Sequence, residues 1–136
     1  MIEADGDLYF NAPGTASVRW DAGAATVVVE WEGWANSTEF AALLDAGFRA
    51  LKAHSGSRVL ADCRLQKVLL PADQERADRE WLPRALAAGL KRFAVILPVS
   101  GLARMNLKDS LDAIPSTSLE VEYFDSVEQA REWLAH

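Results

Sequence analysis

The hydrophobic and polar positions of this chain follow two periods, one typical of strands and one typical of helices. Three short runs near the N-terminus, at about Asp7–Phe10, Ser17–Trp20 and Ala25–Trp31, are separated by Asn, Asp, Pro and Gly residues that favour turns. The last run, ATVVVEW, is rich in β-branched residues, which predicts a central strand. We therefore expect the domain to begin with an antiparallel meander of three strands.

The clearest helical pattern follows Asn36. Apolar or small residues recur at helical spacing, at Phe40, Leu43, Leu44, Gly47, Phe48 and Leu51. This spacing predicts one continuous face that packs on the core. Asn36 and Glu39 have the spacing of a capping box at the start of the helix. Gly56 is suitably placed for a left-handed cap at its end.

Strand and helix patterns then alternate to the C-terminus. They fall at Val59–Cys63, Asp73–Gly89, Phe93–Leu97, Leu102–Ile114, Leu119–Phe124 and Val127–Leu134. Pro83 predicts a kink or a break near Leu82. Either Ser126 with Gln129 or Asp125 with Glu128 has the spacing of a capping box for the last helix. The order β-β-β-α-β-α-β-α-β-α predicts an α/β fold. We expect a mixed sheet of about four to six strands, with helices packed against it and one face less covered.

Composition limits the class of protein. The 136 residues are half hydrophobic by count, which is enough for a single domain, 1–136, with its own core. The net charge of −6 argues against nucleic acid as a partner and against an electrostatically held membrane protein. No apolar run is long enough to cross a bilayer, and the N-terminus lacks the pattern of a signal peptide. We therefore expect a cytoplasmic protein without an integral membrane segment.

Aromatic and cationic residues near one edge of the predicted sheet form the main candidate site. Arg64 follows a predicted buried strand, where ligands bind in open α/β sheets. Trp31 lies at the end of the preceding strand, and Trp34 follows Gly33 in the loop after it, where we expect an exposed indole. Trp81 and Arg84 lie on the helix that follows. We call these five residues the Trp/Arg rim. The pattern leaves three interpretations open: a pocket for an amphipathic or anionic ligand, a protein interface, or aromatic residues that fill the core.

The other chemically active residues favour structural roles. Cys63 is the single cysteine and lies in a predicted buried strand, which favours an inert thiol. His54 and His136 are far apart, so no metal site or cofactor is expected. His54 is placed to interact with the helix C-terminus. Acids alternate with arginines between positions 73 and 80, which predicts a solvated helix face.

Several short motifs occur in order along most of the chain. They are WEG at 31–33, EF at 39–40, DCR at 62–64, DQ at 73–74, WLPRA at 81–85, Gly89 and YFDSVEQAREWL at 123–134. In this order they resemble the bacterial SpoIIAA-like proteins, which are grouped with STAS domains and with the lipid-binding CRAL-TRIO fold. The resemblance implies a sheet with helices mainly on one face and implies little chemistry.

One departure from the wider STAS group concerns regulation. Anti-sigma-factor antagonists of that group carry a phosphorylatable Ser or Thr in the turn after the strand that corresponds to Val59–Cys63. In this chain no Ser or Thr lies between Ser57 and Ser100. We therefore expect no phosphorylation switch in that turn.

The sequence thus predicts a non-enzymatic, STAS-like binding or regulatory domain. Its partner would be a small amphipathic or anionic ligand, or another protein, at the Trp/Arg rim. One alternative is a structural homodimer whose exposed tryptophans bury each other. The other is an enzyme with an unfamiliar site built on Asp62, Arg64 and Glu39, although no residue has an evident reason to act as a general base.

Overall fold

The domain is a six-stranded sheet with helices on both faces, and the computed structural model describes residues 7–115 and 118–136. The strands are β1 (Asp7–Ala12), β2 (Ala16–Asp21), β3 (Thr26–Trp31), β4 (Arg58–Asp62), β5 (Arg92–Ile96) and β6 (Glu120–Phe124). The helices are α1 (Ser37–His54), α2 (Pro71–Arg76), α3 (Leu82–Ala87), α4 (Gly101–Asp112) and α5 (Val127–Ala135), and a π-helical segment, Ala77–Trp81, joins α2 to α3.

The strands lie in the sheet in the same order as in the chain. β1, β2 and β3 pair antiparallel, whereas β3, β4, β5 and β6 pair parallel. Right-handed crossovers that all advance in one direction place their helices on the same face. The mixed α/β sheet expected from the sequence is therefore confirmed, including its antiparallel first part and its helices mainly on one face.

Alternate residues of β3 enter two separate cores. Val27, Val29 and Trp31 belong to the larger core, which lies between the sheet and the helices α1 to α4. Val28 belongs to a smaller core on the opposite face, where Ala130 of α5 covers the sheet. Because β3 is buried on both faces, its sequence reads as a nearly continuous apolar run rather than an alternating one.

Helix α1 begins as predicted but ends differently. The Asn36 side chain accepts a hydrogen bond from the backbone N–H of Glu39 (2.8 Å), and the Glu39 carboxylate accepts one from the backbone N–H of Asn36 (3.0 Å). The prediction that Gly56 takes the left-handed cap position is wrong, because Ser55 takes it, with φ 51°. Gly56 instead packs on Trp20, whose ring lies 2.9 Å from where a Cβ would be.

The buried face of α1 is rotated from the predicted one. Ala46 and Ala50 are buried, although their small side chains give a weak signal in the sequence. Phe48 was expected to face the core, but it is only partly buried. Its ring lies beneath the Arg84 guanidinium, at 4.2 Å from the ring centre, and near the Lys52 amine. Phe48 therefore marks the edge of the helix–helix contact.

Pro83 does not break its helix. The chain stays helical from Pro71 to Ala87, and the π-helical segment widens the turn just before the proline. The backbone N–H of Leu82 donates to the carbonyl of Ala77, five residues earlier. One wide turn thus replaces the kink or break expected near Leu82. Such a turn lets the helix continue past Pro83, which has no backbone N–H to donate. Gly89, with φ 118°, follows the helix end as predicted.

Candidate ligand-binding cavity

An apolar cavity of about 120 Å³ lies between the sheet and the helices of the larger core. The sheet contributes side chains of β3, β4 and β5, and the helical layer contributes side chains of α1, the π-helical segment and α4. The larger wall residues are Trp31, Phe40, Leu43, Trp81, Phe93, Leu107 and Leu111. The volume exceeds that of a water molecule several-fold, and the cavity is partly open, because the exposed residue Asp78 contributes to its lining.

Trp81 forms one wall and is held from the α1 side. Its indole N–H donates to the carbonyl of Leu44 at 2.7 Å. A Cβ at Gly47 would lie 3.9 Å from the Trp81 ring, so the glycine brings the helix surface close to the indole. Because the polar end of Trp81 is satisfied by α1, the hydrocarbon face of the ring is left for the cavity.

Trp31 forms a second wall from the end of β3. It is 6% exposed, and its ring packs on that of Phe40 with 6.1 Å between the ring centres. The strand of Trp31, β3, pairs parallel with β4, the strand that precedes Cys63. Trp31 nevertheless points into the core and does not stand on an open surface.

Few polar side chains reach the cavity. Gln66 lines it and is only 5% exposed, and Gln74, Asp78 and Ser110 contribute at the helical side. The Gln74 amide donates to Asn106 of α4 at 2.7 Å, which ties α2 to α4. Burial raises the pKa of the Asp78 carboxyl above its ordinary value. The residues that line the cavity include no lysine, arginine or histidine.

Arg64 lies at a different place, in a shallow groove at the carboxyl ends of β3 and β4. The groove is lined by Trp31, Glu32, Asp62 and Arg64, among others. The Arg64 guanidinium donates to both carboxylate oxygens of Asp62, at 2.9 and 2.6 Å. Burial alone would raise the pKa of Asp62, but these hydrogen bonds and the charge of Arg64 outweigh it, so the pKa is lowered. The arginine is therefore already paired within the chain.

The structure divides the five residues of the Trp/Arg rim among several places. Trp31 and Trp81 share the cavity, and Trp31 also borders the groove of Arg64. Arg84 lies over Phe48 and lines neither site. Trp34 is 48% exposed, which confirms the predicted exposed indole in a loop. Sequence reasoning could name these residues, but it could not show that α3 carries Arg84 away from Arg64.

Asp73 is a buried acid that the sequence pattern misplaced. The alternation of charges predicted a solvated helix face, but Asp73 is only 3% exposed. Its carboxylate accepts a hydrogen bond from the Ser37 hydroxyl at 3.1 Å, in the first turn of α1. Glu75 and Arg79 do lie on the solvated face, where they form an ion pair at 3.0 Å. A single buried position within a charged run leaves no clear signal in the sequence.

The remaining titratable candidates have structural surroundings. Cys63 is buried, and burial together with the nearby Asp62 charge raises the pKa of its thiol, which disfavours the nucleophilic thiolate. His54 stacks on Trp20 at 4.4 Å, and its Nε2 lies 2.9 Å from the Tyr9 hydroxyl. Within residues 7–115 and 118–136, no group of His, Cys, Asp and Glu side chains has the arrangement of a metal site.

Several large apolar side chains are exposed after the carboxyl ends of β3, β4 and β5, in the three loops and at the start of α4. We call them the carboxyl-edge patch: Trp34, Leu65, Val68, Leu70, Val99, Leu102 and Met105. Backbone hydrogen bonds join the loops, from Lys67 to the carbonyl of Gly33 (3.3 Å) and from Val99 to that of Arg64 (3.1 Å). The three loops that carry most of these side chains are therefore adjacent. Clustered exposed apolar side chains are typical of interaction surfaces.

No protein-family model matches this chain, and no curated protein sequence is significantly similar to it. The resemblance to SpoIIAA-like proteins therefore stays a prediction. None of the helices within the described part of the chain combines the length and the apolar character needed to cross a membrane.

Proposed function

We propose that this protein is a non-enzymatic, cytoplasmic binding domain of the SpoIIAA-like type, and that it holds a small apolar or amphipathic molecule. The observation that supports this function is the cavity between Trp31 and Trp81. Its walls are apolar, two of them are large aromatic rings, and its polar groups are few. These are the usual features of a small-molecule site in a protein.

The volume and the walls of the cavity suit a small apolar occupant. A ligand that fills the 120 Å³ makes dispersion contacts with the surrounding apolar side chains. Engineered apolar cavities of about 150 Å³ remain dry and bind benzene, so the volume suits a ligand of about that size.

The chemical groups near the cavity favour binding over catalysis. The Cys63 thiol is held in its protonated form by burial, so it is a poor nucleophile. Asp62 is paired with Arg64 and has a lowered pKa, so it is a weak base. Glu39, the third member of the enzyme alternative, accepts a hydrogen bond at the cap of α1. An anionic ligand in the groove of Arg64 would have to displace Asp62.

Ligand-induced stabilisation tests the proposal. Benzene should raise the melting temperature of the protein, because a ligand at 100 times its Kd stabilises the folded state by about 2.7 kcal/mol. Ala61 lines the cavity from β4, and Ala61→Ile should fill part of it and abolish the shift. Ala77→Leu, from the π-helical segment, is a second filling variant. Ala53→Ile, at an exposed position of α1, is the matched control and should respond like wild type.

The proposal would be contradicted if benzene and other apolar probes of similar size left the melting temperature of wild type unchanged. It would also be contradicted if both filling variants folded and responded as strongly as wild type, because the probe would then bind elsewhere.

The carboxyl-edge patch supports a second candidate function, contact with another protein molecule, including a second copy of this chain. Trp34 is exposed in a loop whose neighbours Leu65 and Val99 are also exposed. Exposed aromatic side chains are frequent anchors of protein interfaces. Light scattering of Trp34→Ala and wild type tests this surface, because loss of a dimer contact would halve the measured mass.

A further inference from the structure

We infer that the cavity selects an uncharged ligand, about the size of phenol, with one hydrogen-bonding group that meets Gln66. This inference rests on the proposed function and adds the chemical class of the ligand. Three properties of the cavity carry it: the charges of its walls, the state of the Gln66 amide, and its volume.

The walls disfavour an anion. None of the residues that line the cavity is a lysine, an arginine or a histidine, so a buried carboxylate or phosphate would find no opposite charge there. The one acidic side chain of the wall, Asp78, would repel it. An unpaired ion in an apolar site loses its hydration without compensation, which costs far more than burial of a neutral group.

Asp78 also gives little support for a cation. The residue lies in the π-helical segment and is exposed overall, so its carboxyl faces water as well as the cavity. Burial of its inner side raises the pKa of this carboxyl, because the charged form is poorly solvated on that side. A ligand ammonium would therefore leave water for a weak and partly solvated partner.

Gln66 supplies the polar contact. Its residue is nine-tenths or more buried and lines the cavity. Its backbone N–H donates to the carbonyl of Cys63 at 3.0 Å, which fixes the turn after β4. Its side-chain amide makes no hydrogen bond to another side chain or backbone group of the described residues, whereas the amide of Gln74 is bonded to Asn106.

An amide carries both donors and an acceptor, so it can bind a hydroxyl in either sense. No side-chain nitrogen or oxygen of the described residues is both fully enclosed and unpaired, so solvent reaches the Gln66 amide through the cavity. An apolar ligand that excludes this solvent leaves the amide without a partner, which costs about 1–3 kcal/mol. A ligand with a hydroxyl, carbonyl or amide group removes this penalty, and a purely apolar ligand of the same size does not. The Gln66 amide therefore favours ligands with one neutral polar group over hydrocarbons.

Isothermal titration calorimetry with four probes tests the inference on wild type: benzene, phenol, benzamide and benzoate at pH 7. We expect phenol to bind about three- to tenfold more tightly than benzene, the effect of one net hydrogen bond. Benzamide and benzoate have nearly the same shape and differ in charge. We expect benzamide to bind and benzoate to give no measurable heat at the same concentration.

Gln66→Leu tests the residue itself, because leucine keeps much of the volume and removes the amide. In this variant phenol should bind no more tightly than benzene, and the affinity for benzene should not decrease. Gln129→Leu, on the exposed side of α5, is the matched control and should keep the preference for phenol. If Gln66→Leu fails to fold, the comparison of benzamide with benzoate on wild type still decides the point about charge.

The outcomes separate the two proposals. If none of the four probes binds, the proposed function fails, and the inference fails with it. If benzene binds and benzoate binds as tightly as benzamide, the ligand-binding function stands and the selection of an uncharged ligand is wrong. If phenol and benzene bind equally to wild type, or Gln66→Leu keeps the preference for phenol, the role of Gln66 is wrong.

Discussion

Replacement of Phe40 by alanine measures how tightly the larger core holds together around its cavity. Phe40 is 6% exposed, packs on Trp31 and lines the cavity. Removal of a fully buried phenylalanine side chain forfeits about 1.5–3 kcal/mol of transfer free energy. If about 60 Å³ of its volume stays empty, the enlarged void adds about 1.5 kcal/mol. We therefore expect Phe40→Ala to lower the free energy of unfolding by about 3–5 kcal/mol.

Phe48 provides a matched comparison on the same helix. The sequence pattern predicted the same loss for Phe48→Ala, but the structure places this ring at the edge of the contact, beneath Arg84. Because part of the ring is exposed and its removal leaves no closed void, we expect a loss of about 1–2 kcal/mol. Removal of the ring also forfeits the contact with the guanidinium, which is worth about 0.5–1 kcal/mol at an exposed site.

Urea unfolding of the three proteins, followed by circular dichroism, checks both values. The slopes should be similar, so that the midpoints report stability. Equal midpoints for Phe40→Ala and wild type would show that Phe40 does not support the core, and the description of the cavity wall would be wrong. Equal losses for Phe40→Ala and Phe48→Ala would contradict the assignment of Phe48 to the edge.

Four further substitutions concern other parts of the domain. Gly33→Ala should destabilise the fold by about 1–3 kcal/mol, because its Cβ would lie 2.7 Å from a backbone carbonyl oxygen. Gly47→Ala should stabilise it by about 0.5–1 kcal/mol, since its Cβ would have room in a helix interior; urea midpoints that move in the same direction would refute this pair. Trp34→Ala should change stability by no more than about 0.5 kcal/mol, as an exposed position does; light scattering would show a halved mass if the loop forms a dimer, and a large loss of stability would place the residue in the core. Asp62→Asn should lower stability at pH 7 by about 1 kcal/mol or less, because its partner Arg64 is exposed. The pKa of this carboxyl is lowered in the folded state, so the difference from wild type should be present above the ordinary value of 3.8 and vanish as the pH falls below it; a difference that persists in acid would contradict the ion pair.

Local patterns predicted the elements of this fold well because local interactions determine them. The capping box of Asn36 and Glu39, the cap of α5 at Ser126 and the chain order of strands and helices are all present. The end of α1 was missed by one residue, since Ser55 and Gly56 compete for the same position. Only the tertiary contact of Gly56 with Trp20 decides between them.

The candidate site was less predictable because it depends on distances between helices. The sequence left open whether Trp31 and Trp81 face a pocket, an interface or the core, and it could not show that the side chains around them leave a cavity. The π-helical segment also has no local signature other than Pro83 after it. Arg84 lies over Phe48 of α1, whereas Arg64 pairs with Asp62 in its groove, and no local pattern distinguishes these two environments.

The strands follow one another in the sheet in the same order as in the chain, and this order affects folding kinetics. Each strand pairs with the strand that precedes it, so the sheet can grow in one direction without insertion of a strand between two others. Helix α5 is the exception, because its Arg131 reaches Asp21, 110 residues earlier, and its Ala130 covers Val28 of β3. Closing that long loop is entropically costly. The docking of α5 should therefore come late, and contacts made there should govern the rate of unfolding more than the rate of folding.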